Sequence, residues 1–150
     1  MPESIRTKLM RLFFYIHPAY HGTGGRIKYI ASDWSEVILA IPLNWRTRNF
    51  VGTIFGGSMY GAVDPIFMIM LIQRLEREYI VWDKAAMIQF KKPGKSKLYA
   101  HFLVPDKKIS YIQDESKTKR SVDRVYFVEL KDAEDIVCAT VEKTIYIRKK

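Results

Sequence analysis

The segment from Asn49 to Ile72, NFVGTIFGGSMYGAVDPIFMIMLI, holds the residues with the clearest chemical content. Gly56 and Gly57 open it. Backbone N–H groups at the start of a helix point outward and carry partial positive charge, and a glycine pair lets an oxygen anion approach them closely. Asp64 follows seven residues after Gly57 and is the one charged residue between Gly56 and Ile72. A carboxylate among apolar residues suits a general base or a nucleophile. Two plainer readings compete. The glycines would also make a tight loop-to-helix turn, and Asp64-Pro65 would also serve as an N-cap followed by proline at the first helical position, so that the helix starts at Asp64.

These residues need elements to position them. Ile5, Leu9, Leu12, Phe13 and Ile16 recur at helical spacing, which predicts an amphipathic helix over 4–16 with Ser4 as N-cap and Pro18 as the stop. Gly22-Thr-Gly-Gly25 makes a turn. No Gly-Lys-Ser/Thr follows it, so it is no phosphate loop. Strands are predicted over 26–31 and 36–43, a polar loop over 44–49, and one helix from about Gly56 to Arg77. Four more strands, over 79–90, 97–104, 124–130 and 136–147, complete the pattern. Residues 105–123 are polar and charged and carry no assignment. Grouped strands without βαβ alternation predict an α+β fold with an antiparallel sheet. Residues 59–72 have almost no polar face. A helix that is apolar all round must be buried all round. In one small domain this requires a sheet wrapped around the helix, the hotdog arrangement, with a partner surface over what the sheet leaves open.

Length and composition agree. The chain has 150 residues, 48% of them hydrophobic, which suits one domain spanning 1–150 with its own core. One cysteine, Cys138, excludes an internal disulfide framework and suits a reducing compartment. No secretory signal pattern is present and Ile66–Ile72 is too short to span a bilayer, so the expected location is the cytoplasm. The net charge of +9 points to an anionic partner: nucleic acid, an anionic membrane surface or a phosphorylated small molecule. No helix-turn-helix, zinc-finger or RNP-type pattern supports nucleic acid.

The spacing Asn49-x2-Gly52-x2-Phe55-Gly56-Gly57-x6-Asp64 resembles hotdog-fold acyl-CoA thioesterases of the phenylacetyl-CoA type, whose motif places Asn, His-Gly-Gly and Asp at the same offsets. The run from Asn44 to Tyr60 is similar to a less characterised branch of that thioesterase superfamily, as are Tyr79-Ile-Val-Trp-Asp-Lys-Ala-Ala and Val141-Glu-Lys-Thr-Ile-Tyr-Ile-Arg148. The resemblance covers most of the chain from His17 onward. It implies hydrolysis of an acyl thioester. Asp64 would activate water or attack, the Gly57 N–H would stabilise the oxyanion, and Asn49 would orient the reactants. Phe55 stands where the family has histidine. That substitution keeps open a non-catalytic acyl-thioester or lipid-binding protein, while the lack of a histidine near the motif weakens a hydratase or dehydratase reading.

Further candidates follow. Gly56, Phe55, Ser58 and Tyr60 flank the motif and would contact the substrate. For Ser58 a capping role at the helix start competes, for Tyr60 core packing, and for Asn49 a bond to its own turn. Arg46, Arg48, Lys91 and Lys92 would bind the phosphates of coenzyme A, which enters as part of the substrate rather than as a cofactor. His17, His21 and His101 lack the spacing and acidic companions of a metal site, and no metal is expected. Met59, Met68, Met70 and Met87 are core residues or the lining of an acyl tunnel. Gly57 and Asp64 lie about 10 Å apart along one helix, too far to meet at one carbonyl. The expected assembly is therefore a homodimer, or a dimer of dimers, with each site shared between two chains.

Overall fold

The computed structural model describes residues 1–150. Its first element, α1 (Ile5–Ile16), begins at a reciprocal cap: Ser4 Oγ accepts from the Thr7 N–H at 3.1 Å, and Thr7 Oγ1 accepts from the Ser4 N–H at 3.0 Å. Pro18 ends α1 by forcing His17 into extended backbone, and starts the short α2 (Pro18–His21). The packing of α1 is unexpected. Thr7 and Phe14 face inward, while Ile5, Leu9, Leu12 and Ile16 face solvent.

Six strands form one antiparallel sheet: β1 (Arg26–Ile30), β2 (Glu36–Ile41), β3 (Tyr79–Phe90), β4 (Leu98–Leu103), β5 (Val122–Lys131) and β6 (Val137–Lys149), in the order β1-β2-β4-β5-β6-β3. Strand boundaries agree with the sequence pattern to within about two residues, the usual uncertainty of element ends. The β4–β5 ladder holds only at Tyr99↔Lys131 and Ala100↔Leu130. Their other ends splay, joined by a helix over Asp106–Glu115 in the stretch that carried no sequence assignment. This helix, α5 in chain order, contributes Ile109 and Ile112 to the core. Its apolar residues are too few to give a clear period in the sequence.

The central helix is two helices. The first, α3 (Gly56–Val63), and the second, α4 (Ile66–Arg74), meet at Asp64-Pro65. Pro65 has no N–H to give to the Gly61 carbonyl, so the ladder is interrupted, yet both junction residues keep right-handed helical backbone. The result is a kink, and Asp64 ends a helix rather than starting one. After Arg74 a single 3₁₀ turn, Glu76–Glu78, leads into β3. The sheet wraps the side carrying Met59, Ala62, Val63, Ile66, Phe67, Met70 and Leu71. Phe67 packs between Phe102 and Tyr126 with ring centroids 4.9 Å away in each case. On the far side Tyr20 is buried and donates its hydroxyl to the Ala62 carbonyl at 2.8 Å. Burial is incomplete: Ile72 is exposed and Met68 and Ile69 are half-buried. One chain alone does not cover this helix.

Candidate active site

The loop before α3 sets the glycine pair. Asn49 spends its side chain on its own turn. Its Oδ1 accepts from the Val51 and Thr53 N–H groups at 3.1 and 2.9 Å, and its Nδ2 donates to Thr53 Oγ1 at 2.8 Å. Thr47, fully buried, ties the loop's base to Pro42 and Asn44. Gly24 has a φ of +76°, and a Cβ on it would strike the Thr47 methyl group, so only glycine fits there. Phe55 is the N-cap of α3 and offers no side-chain cap. Its carbonyl accepts from Ser58 and Met59, at 3.0 and 3.1 Å, which leaves the Gly56 and Gly57 N–H groups ahead of the helical ladder.

Both glycines lie under aromatic rings. A Cβ on Gly56 would come within 2.9 Å of the Phe90 ring, and one on Gly57 would overlap the Phe55 ring. Phe55, the residue in place of the family's histidine, thus lies against Gly57 while remaining half-exposed. Ser58 is buried inside α3 rather than at its cap. A cavity of about 400 Å³ opens beside this helix start, with Asn49, Gly56, Phe90, Lys91 and Lys92 on its wall. Arg46 and Arg48 do not reach it. The Arg46 guanidinium lies over the Trp45 ring, 5.6 Å from its centroid, and the Arg48 backbone bridges to Ile54.

Asp64 belongs to a different cluster. Tyr60, one turn earlier, donates its hydroxyl to Asp64 Oδ1 at 2.7 Å. The Lys143 ammonium donates to the same oxygen at 2.6 Å, lies 3.4 Å from the Tyr60 hydroxyl, and lies 3.1 Å from Asp83 Oδ1. That last contact brings the charges together without hydrogen-bond alignment, and Asp83 Oδ1 is buried with no other partner. Lys143 is 0% exposed, whereas Asp64 keeps 41% of its side chain open. Asp64 Oδ2 has no protein partner: one carboxylate oxygen is anchored twice and the other is free.

Burial by itself would lower the Lys143 pKa, but its contacts with Asp64 and Asp83 outweigh this and hold it above the ordinary lysine value. Burial pushes the Asp83 carboxyl up, the nearby Lys143 opposes this, and the Asp64 charge adds to it. The Tyr60 hydroxyl is pushed up by burial and by its bond to Asp64. The cluster therefore holds an ammonium inside the protein against two carboxyl groups.

Asp64 also lines a cavity of about 430 Å³ with Phe13, Phe14, His17, Tyr20 and Ile69. This wall is apolar apart from Asp64, His17 and the Tyr20 and Thr23 hydroxyls. The two halves of the expected site thus open into separate spaces of one chain: Gly56 and Asn49 into one, Asp64 into the other. A larger concavity of about 550 Å³ on the outer face of β4 and β5 contains none of these residues.

Two residues, Lys143 and Asp83, escaped the sequence reading, and His17 was weighed there only as a metal ligand. Lys143 was legible: along β6 the inward positions run Ala139, Val141, Lys143, Ile145 and Ile147, so a lysine occupies a core register. Asp83 was hidden, because a bulge between Asp83 and Ala85 breaks the alternation of β3. His17 stands at the α1–α2 corner, 47 positions before Asp64 in sequence, and no local pattern links the two.

The chain belongs to the DUF4442 family, described as a domain of unknown function, whose model matches residues 6–147. The fold is the hotdog fold. A structure from Pseudomonas aeruginosa, of unknown function and described as a probable thioesterase, superposes with a TM-score of 0.87 over 100% of this chain and 99% of that one, at 16% identity. A protein of unknown function from Chlorobaculum tepidum gives 0.75 at 19% identity, covering 97% and 95% of the two chains. A thioesterase from Haemophilus influenzae gives 0.72 at 15% identity, covering 98% and 93%. A comparison with curated proteins finds no match in sequence. No helix is long and apolar enough to cross a membrane.

Proposed function

We propose that the protein hydrolyses acyl thioesters, at sites made by two chains. The observation that carries this reading is the state of Asp64: Oδ1 is fixed by Tyr60 and Lys143, Oδ2 takes no protein hydrogen bond, and the residue lines a largely apolar cavity. A carboxylate held this way can take a proton from water without losing its orientation. The water oxygen attacks the thioester carbonyl carbon, and its proton passes to Oδ2. The Gly57 N–H, at the positive end of α3, faces the oxygen that gains charge. Collapse of the tetrahedral intermediate breaks the C–S bond, and the thiolate leaves with the proton returned from Asp64. The likeness in fold to structures described as thioesterases supports the same reaction class. The test is thiol release from a panel of acyl-CoA esters. No release from any member, with binding intact, would overturn it.

Two chains are needed because Asp64 opens into a different cavity from Gly56 and Asn49, and lies about 10 Å from Gly57 along the helical rise. The edge strand β3 offers a surface for a second copy. It is twelve residues long, pairs on one side only, and exposes Trp82, Met87 and Phe90. Subunit mixing tests the arrangement. Asn49→Ala loosens the loop that presents the glycines, and Asp64→Asn removes the base, so each homodimer should be nearly inactive. Mixed chains should recover roughly a quarter of wild-type activity if pairing is random, since each heterodimer then holds one intact site. No recovery from verified heterodimers would defeat the shared site.

Lys91 and Lys92 share a cavity with Asn49 and Gly56, which favours them over Arg46 and Arg48 as the cations that meet the coenzyme's phosphates. Lys91→Ala/Lys92→Ala should raise KM for acyl-CoA several-fold, about 1 kcal/mol for the two exposed lysines together, with kcat little changed. An acyl-pantetheine ester lacking the nucleotide should lose much less. Equal losses on both substrates would exclude phosphate recognition by these lysines.

A second reading, binding without hydrolysis, is favoured by Phe55, whose ring lies against Gly57. Phe55→His separates the two: a large gain of thiol release in the variant, from a wild type that binds but does not turn over, would select the binder.

A further inference from the structure

The apolar stripe of α1 points away from the protein. Ile5, Leu9, Leu12 and Ile16 stand at i, i+4, i+7 and i+11, within about 60° of one another around the helix. Each is 54–80% exposed. The buried residues Thr7 and Phe14 lie diametrically opposite. An amphipathic helix in a single chain normally turns such a stripe inward, whereas here nothing within the chain covers it.

Charge identifies the partner. Helix α1 contains no acidic residue. Exposed Arg6 and Lys8 flank the stripe on its two sides. Arg26 of β1 adds a third cation, its guanidinium 5.4 Å from the centroid of the Tyr15 ring. Over residues 1–28 a single carboxylate, Glu3, stands against five cations, and Glu3 is paired with Arg11 at 3.0 Å. Two copies meeting through this face would set Arg6 and Lys8 of one against the same cations of the other. An anionic lipid surface accepts both features at once, with aliphatic side chains among the acyl chains and cations at the headgroups.

We propose that α1 is an interfacial helix that docks the protein reversibly on an anionic membrane surface. The helix would lie in the plane of the interface, with Ile5, Leu9, Leu12 and Ile16 inserted and Arg6, Lys8 and Arg26 at the phosphate level. Phe13, half-exposed beside the stripe, also lines the Asp64 cavity. Docking therefore sets the mouth of that cavity next to the lipid, where long-chain amphiphiles partition. The proposal needs no turnover at Asp64 and is tested without it.

The experiment is flotation of the full chain with vesicles of phosphatidylcholine alone and of phosphatidylcholine with phosphatidylglycerol at a two-to-one ratio. Wild type should float at least about tenfold more with the anionic vesicles, and high salt should remove most of that binding. Leu9→Asp/Ile16→Asp should abolish binding, and Arg6→Glu/Lys8→Glu should lower it at least about tenfold, with thermal stability close to wild type because all four side chains are exposed. Absence of binding to anionic vesicles, equal binding to both vesicle types, or binding unchanged by Leu9→Asp/Ile16→Asp would overturn the proposal. So would dissociation of the native assembly by that same pair in gel filtration, which would assign the stripe to a contact between copies.

Discussion

Asp64→Asn is expected to lower kcat for acyl-thioester hydrolysis about a hundredfold or more, the usual loss on removing a positioned base, and to leave KM nearly unchanged. The substitution is specific because of the geometry around Oδ1. The asparagine carbonyl oxygen can still accept from the Tyr60 hydroxyl and the Lys143 ammonium, and the residue's place at the α3–α4 kink depends on backbone that asparagine also adopts. Only the charge and the proton-accepting Oδ2 are lost. Circular dichroism and a binding measurement with an unreactive acyl-CoA thioether should match wild type. Hydrolysis retained at the wild-type rate in a folded Asp64→Asn protein would remove Asp64 from the chemistry and leave it a structural residue of the kink.

Lys143→Met should be the most destabilising single change in this region. The side chain is 0% exposed and its nitrogen touches Asp64 and Asp83, so methionine would fill the space but leave Asp83 without a partner and Asp64 with Tyr60 alone. Removing one member of a buried ion pair costs about 3–5 kcal/mol, and the lower end applies here because Asp64 is 41% exposed. A loss of roughly 3 kcal/mol corresponds to a Tm lower by roughly 10 °C for a chain of this size. The effect depends on pH with a definite sign. The Asp83 carboxyl already lies above the usual carboxylate range through burial, and loss of the ammonium that opposes this raises it further. A carboxyl raised in the folded state favours folding when protonated, below its unfolded value, and loses that contribution as pH rises through the folded value. The deficit of Lys143→Met should therefore be largest near neutrality and shrink as pH falls toward 4, the unfolded Asp range of about 3.9. In wild type the raised Lys143 pKa acts in the same direction at the other end: its contribution is full below the ordinary lysine value, about 10.4, and disappears as pH rises through the folded value. Lys143→Met/Asp83→Asn should regain most of the stability without regaining activity, since Asp64 still lacks the ammonium that fixes Oδ1 beside Tyr60. A Lys143→Met protein as stable as wild type at pH 7 would mean that the cluster carries no significant charge energy.

The amino-acid sequence by itself determined the strands, the sheet class and the central apolar segment, because these rest on local periodicity. Alternation along β6 and the nearly continuous apolar character of 59–72 leave few other ways to bury those side chains. The glycine pair and Asp64 were also visible locally, as a break in composition followed by a lone charge. Three things were decided only by tertiary structure. The first is the partnership of Asp64. Lys143 lies 79 positions further along the chain and reaches it because β6 is an inner strand in contact with α3, while Asp83 arrives from the neighbouring edge strand β3. The second is the separation of Gly56 from Asp64 into two cavities, which follows from the length of α3 between them and from α1 and α2 packing beside Asp64. The third is the direction of α1. Helical spacing identifies an apolar stripe but not what it faces. Here Thr7 and Phe14 take the inner side, and the stripe of Ile5, Leu9, Leu12 and Ile16 is left to a partner. Periodicity is a property of one segment, whereas what a face meets depends on where every other segment has already packed.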